Sequence, residues 1–327
     1  MPKVGKKAQI LASWTTLILL IAILLPLTPA QAFEVSNQNV EDKNDFVLEP
    51  GKVELFLNPG EEATKAVIVT SRIRETTTFK IEIEDFIGSR DANQPVILLG
   101  NDKSPYSIKD SIVPEISEFT LEFGQRIAIP VKITVPEATQ PGGFYASVLV
   151  SSQARETPAT AAQGRTRVVS RVGSLMFIRV NGDANESGAV EDFRIAGEKK
   201  SVYEKGPFTF QVLFNNTGNV HLVPYGTVTI KNTLGKSIST LPLDAYFSLP
   251  NSLRHREVQW SSGFLFGRYK AELDLNRGYG GTMDHKEITF WVLPWKIVVA
   301  VLFGFLLISS ILVYILRNFE FKKKGAK

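Results

Sequence analysis

Arg126-Ile127-Ala128-Ile129-Pro130-Val131-Lys132-Ile133-Thr134-Val135 sets Ile127, Ile129, Val131, Ile133 and Val135 at every second position. A period of two puts those side chains on one face of an extended strand, with Lys132 and Thr134 on the other. Runs of alternating or β-branched residues recur around it, at 52–57, 64–71, 78–86, 96–99, 118–123, 144–151 and 165–180. Turn formers separate them: Asn58-Pro59-Gly60, Gly88, Gly100, Gly124 and Gln140-Pro141-Gly142-Gly143. Strands at this spacing predict a β-sandwich of immunoglobulin type over residues 46–182. Residues 33–45 are polar and aperiodic and read as a flexible leader. Residues 154–164, rich in Ala, Thr and Pro, read as a long hairpin loop before the last strand.

Asn181-Gly182-Asp183-Ala184-Asn185-Glu186-Ser187-Gly188 then breaks the pattern and marks a boundary. Beyond it, runs at 189–196, 208–215, 226–231, 237–241, 254–260, 267–275 and 286–293 predict a second sandwich over 188–293. Few apolar residues cross the boundary, so each sandwich is expected to fold by itself. The halves share a rhythm: Gly143-Phe144-Tyr145-Ala146 and Gly267-Arg268-Tyr269-Lys270-Ala271 each place a Tyr near the start of a strand. Such a Tyr belongs to the core and satisfies its hydroxyl by tying a loop.

Two apolar stretches bracket this β-rich region. Lys3, Lys6 and Lys7 precede the first, at 10–27, which closes on Thr28-Pro29-Ala30-Gln31-Ala32. Ala30 and Ala32 fit an A-x-A cleavage site, so residues 1–32 read as a signal peptide cut between Ala32 and Phe33. Left uncut, the stretch would be a second anchor with the same side exposed. The second stretch, 297–316, holds no charge. About 20 residues at roughly 1.5 Å each match a hydrocarbon core of about 30 Å, which predicts a transmembrane helix over 295–316. Trp291 and Trp295 stand as interfacial aromatics, and Arg317 with Lys322-Lys323-Lys324 puts the tail, 317–327, in the cytoplasm. The expected localisation is the cell membrane, single-pass, with the ectodomain outside. The fold class is therefore all-β, two immunoglobulin-like sandwiches followed by one transmembrane α-helix.

The formal net charge of +4 belongs to the two ends of the chain. Three lysines lie in residues 1–32, and Lys296, Arg317, Lys322, Lys323, Lys324 and Lys327 stand against Glu320 after residue 295, so the region between is net acidic. It lacks the basic stripe that nucleic acid needs. With no cysteine, stability must come from apolar cores.

Chemistry is sparse. His221, His255 and His285 are scattered and read as lone surface histidines, with no nucleophile or second ligand at motif spacing. Glu82 and Glu84 alternate with Ile81 and Ile83 and read as the solvent face of a strand. Asp183-x-Asn185-x-Ser187-Gly188 opens like a calcium loop, but Arg194 stands where a bidentate Glu is needed. No enzyme, cofactor or metal is expected. Trp260, Phe264 and Phe266 cluster around Ser261-Ser262-Gly263, either as buried anchors or as a partner-contact patch, with Phe264 and Phe266 pointing the same way.

The order of signal peptide, sandwich with Leu57-Asn58-Pro59-Gly60-Glu61 and Pro141-Gly142-Gly143-Phe144-Tyr145, second sandwich with Asn215-Asn216-Thr217-Gly218-Asn219, then helix and lysine tail resembles the WxL-interacting cell-surface proteins of Gram-positive bacteria. That resemblance implies a first domain associated with peptidoglycan and a second with host or partner proteins. The expected function is that of a membrane-anchored surface protein binding a cell-wall polymer or a partner protein through its sandwiches. The alternative is an accessory subunit of a membrane-associated surface or secretion complex.

Overall fold

A computed structural model describes residues 34–91, 94–153, 169–197 and 200–318. The expected cleavage site at Ala32 and Phe33, the loop at 154–164 and the lysine tail lie outside the described residues.

The first sandwich is built from β1 (Val35–Asn37), β2 (Phe46–Glu49), β3 (Lys52–Leu57), β4 (Glu62–Ser71), β5 (Thr77–Gly88), β6 (Val96–Leu98), β7 (Ile112–Pro114), β8 (Glu118–Leu121), β9 (Gln125–Thr134), β10 (Gly142–Gln153) and β11 (Arg171–Val180). One sheet runs β1-β9-β4-β2, with β7 also on β9; the other runs β3-β11-β10-β5-β6, with β8 on β5. The alternation read in the sequence is the cause of the layering. Ile127, Ile129, Val131 and Ile133 of β9 face Val53 and Leu55 of β3 and Met176 and Ile178 of β11 in one core, while Lys132 and Glu54 point away from it. The leader is not wholly flexible, because β1 pairs with β9, setting Val35 opposite Ile127. The backbone hydrogen bonds of an open strand edge outweigh its polar composition.

The second sandwich contains β12 (Gly188–Ile195), β13 (Val202–Tyr203), β14 (Phe208–Asn216), β15 (Tyr225–Asn232), β16 (Ser237–Leu243), β17 (Ser252–Trp260), β18 (Gly267–Asn276) and β19 (Met283–Val292). Its sheets run β12-β14-β17 and β13-β19-β18-β15-β16. The two halves repeat one topology. In each, an early strand is split between the sheets, β2 then β3 and β12 then β13. The second piece joins the last strand in parallel, β3 on β11 and β13 on β19. Leu293-Pro294 then leads into α1 (Trp295–Asn318), whose 24 residues include no buried one.

Residues 181–188 do not act as a slack linker. Asn185 and Asn219 exchange hydrogen bonds, Ser187 binds Thr217, and Arg179 pairs with Glu186 at 2.6 Å. Gly218 passes so close to Asn185 that a Cβ would stand 2.3 Å from its carbonyl oxygen, so a side chain there would open the turn. Beyond the linker, Gly143 N–H donates to Asn219 O at 2.9 Å, Leu253 N–H to Ser89 O at 3.0 Å and Asn251 Nδ2 to Tyr106 Oη at 2.8 Å. Phe86, Tyr145 and Phe177 of the first sandwich form an apolar seam with Leu249 and Phe247 of the second. The expectation that few apolar residues cross the boundary is therefore corrected. Crossing is carried by residues outside the linker itself, on strand faces that turn away from the first core.

Candidate functional site

At the seam, the chemistry of three side chains is joined. Glu54 lies on the outward face of β3, Tyr145 on β10, and His221 in the segment between β14 and β15. Tyr145 Oη accepts the His221 backbone N–H at 2.7 Å and lies 3.3 Å from Nδ1, while His221 Nε2 stands 2.7 Å from Glu54 Oε1. Neutral His221 protonated on Nε2 satisfies every contact: it donates to Glu54 and accepts the Tyr145 proton at Nδ1. His221 is only 4% exposed, which corrects its reading as a surface histidine. Its flanking Val220 and Leu222, both buried, were the available sequence signal.

Burial holds the His221 imidazole below its usual pKa, against the pull of Glu54. Burial also acts to raise Glu54, but hydrogen bonds from His221 and Lys52 outweigh it and leave that carboxyl below its usual value. Burial raises the Tyr145 phenol. This arrangement is a structural tie across two domains, since buried His221 of the second sandwich bonds both Tyr145 and Glu54 of the first.

The tie makes a pH prediction with a definite sign. Unfolded His221 takes up a proton near pH 6.5, whereas the folded residue resists protonation, so the unfolded state binds more protons as pH falls from about 7 to 5. Stability should therefore drop over that window, by at most about 1.4 kcal/mol per pH unit for one proton. Urea midpoints at pH 7, 6 and 5 should fall less steeply in His221→Gln than in the parent chain; equal slopes would remove His221 from this role.

Beside the seam, Arg254 and Arg256 sit on β17 without a carboxylate partner among the described residues. Arg254 stacks 5.1 Å from the Phe247 ring, which itself packs on Phe177, and Arg256 lies 5.9 Å from the Tyr246 ring. Burial and the neighbouring Arg256 push the Arg254 guanidinium down. Arg254 Nε and the Tyr246 hydroxyl are buried with no hydrogen-bond partner in the chain. Two cations over aromatic rings, Arg256 exposed and Arg254 half-buried, fit a carboxylate or a phosphate at the surface. Sequence reading passed over this pair, although Arg254 and Arg256 share their strand parity with the core residues Val258 and Trp260.

The three aromatics expected as a unit are separated. Trp260 is core, 3% exposed and stacked on Phe208 with ring centres 5.7 Å apart. Phe264 and Phe266 are exposed on the loop that follows, on either side of buried Leu265. Tyr269 ties that loop, as expected of it: its hydroxyl accepts from Phe266 N–H at 3.3 Å and lies 3.4 Å from Phe266 O, whereas Tyr145, expected to do the same, reaches across to His221 of the other sandwich instead. Glu82 and Glu84 do stand on an outward face, where Arg171 bridges both. His285 pairs with Asp274 at the surface. Among the described residues no three His, Asp or Glu side chains converge as a metal set.

No family model matches the chain, and no curated protein does. Among solved structures it is similar to the class 5 fimbriae chaperone CfaA, at 13% identity and a TM-score of 0.36, over 76% of this chain and all of that one. It is also similar to the CupB2 chaperone of Pseudomonas aeruginosa, at 10% identity and 0.34, over 75% and 100%. The PapD-like domain 7 of human CEP192 aligns at 7% identity and 0.29, over 47% and 97%. Likeness at this level says nothing of what this chain binds.

Proposed function

We propose that this chain is a single-pass, membrane-anchored binding protein. Its two sandwiches stand outside the membrane and grip a surface protein or cell-wall polymer bearing carboxylate or phosphate groups. The observation that supports the reading most is the junction between β19 and α1. A sandwich with its own core passes in two residues into a helix of 24 residues that is apolar and unburied, about 36 Å long. Such a helix in water would expose far more apolar surface than a soluble chain tolerates. The positive charges after it support a cytoplasmic tail. The WxL-interacting resemblance points to the same kind of role.

Protease added to wall-stripped cells should remove the sandwiches and leave a small C-terminal fragment. Protection of the whole ectodomain would overturn the topology. The binding half of the reading rests on the arginine pair. Arg254→Ala with Arg256→Ala should leave the fold intact and weaken partner cross-linking from intact cells, roughly tenfold or more for each charged hydrogen bond lost. Unchanged cross-linking would move the site elsewhere on the sandwiches.

A further inference from the structure

The helix-proximal end of the second sandwich carries large apolar side chains that face away from its core. Strand register places them together. Gly267 of β18 lies opposite Val292 of β19, so the loop bearing Phe264 and Phe266 ends beside the start of α1. Arg268 lies opposite Trp291, and Val202 lies opposite Trp291 on its other side. Asn232 lies opposite Tyr269, which brings the β15–β16 turn and Leu234 to the same end. Leu234 is 90% exposed, Phe264 72% and Phe266 59%, and Trp291 and Trp295 are each about half exposed.

These tips are held in place. Asn232 Oδ1 accepts from the backbone N–H groups of Leu234 and Lys236, both at 3.0 Å, and Thr233 Oγ1 donates to Arg268 O at 2.9 Å. Buried Leu265 and the Tyr269 hydroxyl fix the other loop. Cations surround the apolar tips: Lys205, Lys236, Arg268 and Lys296, with Glu204 already paired to Lys296 at 2.9 Å.

We propose that this end is a membrane-docking surface, with Leu234, Phe264, Phe266 and Trp291 seated in the interfacial layer of the same bilayer that α1 crosses. The inference rests on the spanning role of α1 given above. Chain length commits the occupant to lipid. Only Leu293 and Pro294 separate β19 from α1, and two extended residues reach at most about 7 Å. The headgroup layer on each side of a bilayer is itself roughly 5–8 Å deep. With the helix inserted, the sandwich cannot stand clear of that layer, and whatever it presents there meets headgroups. Aromatic rings with a ring of Lys and Arg are the side chains that layer favours. The result is a second sandwich braced against the membrane instead of swinging from one helix.

The chain has no cysteine, so single-cysteine variants can be spin-labelled without background. Phe264→Cys, Leu234→Cys, Asn101→Cys and Ser309→Cys would be labelled in the full chain and reconstituted into phosphatidylcholine–phosphatidylglycerol vesicles. Collision with oxygen, which concentrates in lipid, would be compared with collision with a water-soluble nickel chelate. Asn101, on the first sandwich, should favour nickel, and Ser309, inside α1, should favour oxygen. The inference expects the logarithm of the oxygen-to-nickel ratio at Phe264 and Leu234 to change sign relative to Asn101, to a value between the two references. Loop positions that match Asn101 while Ser309 reads as lipid would overturn the docking surface and leave the spanning helix standing. If Ser309 also reads as water, the spanning role falls and the docking surface with it.

Discussion

Phe177→Ala is expected to destabilise the full chain by about 3–5 kcal/mol and to lower the melting of both sandwiches together. The residue is fully buried, yet it belongs to neither main core. Its ring meets Phe86 at 5.6 Å and Tyr145 at 5.5 Å within the first sandwich, and His221 at 5.0 Å and Phe247 at 5.1 Å on the second. Truncation opens a cavity that two rigid sheets cannot close, because Gly88 already lies so near Ser252 that a Cβ there would stand 2.4 Å from the serine Cβ. It also exposes the Glu54–His221–Tyr145 hydrogen bonds to competing water. Calorimetry and urea denaturation in detergent test this directly. A loss under about 1 kcal/mol, or two separate transitions in the parent chain, would mean that the seam is a contact without coupling.

Why the sandwiches were legible and the seam was not follows from parity. Alternation at 126–135 needs only one buried face, and the structure buries the face it names. The seam residues stand on the opposite faces of their strands. Phe177 falls between inward Met176 and Ile178, and Tyr145 beside inward Ala146, so a reading that assigns one face to the core leaves them to solvent. A signal was present nonetheless: Leu175-Met176-Phe177-Ile178 and Val148-Leu149-Val150 are apolar on both parities, as strands covered on both faces are. β1 and β13 were missed for a different reason. They have three and two residues, too few to show a period, and exist because the partner strands β9 and β19 offer them free edges. For the aromatic cluster at 260–266, chain proximity suggested one unit, but a strand end and a loop lie within those seven residues, and they face different surroundings.

That division yields the second large effect. Trp260→Ala should cost about 3–5 kcal/mol, whereas Phe264→Ala with Phe266→Ala should change stability by no more than about 0.5 kcal/mol. Trp260 closes the end of the second core, within 5.9 Å of Tyr269 and 6.5 Å of Phe290 between ring centres, besides its stack on Phe208. Phe208 and Trp260 are directly opposite on β14 and β17, so the stack is a cross-strand pair and its loss weakens the pairing of the two strands as well as the packing beneath them. Phe264 and Phe266, by contrast, give up mostly water-exposed area. Urea midpoints of the two variants, measured in the same detergent, decide the matter. A double variant as destabilised as Trp260→Ala would place the two phenylalanines in the fold; a stable one leaves their apolar surface to be explained by what the chain stands upon.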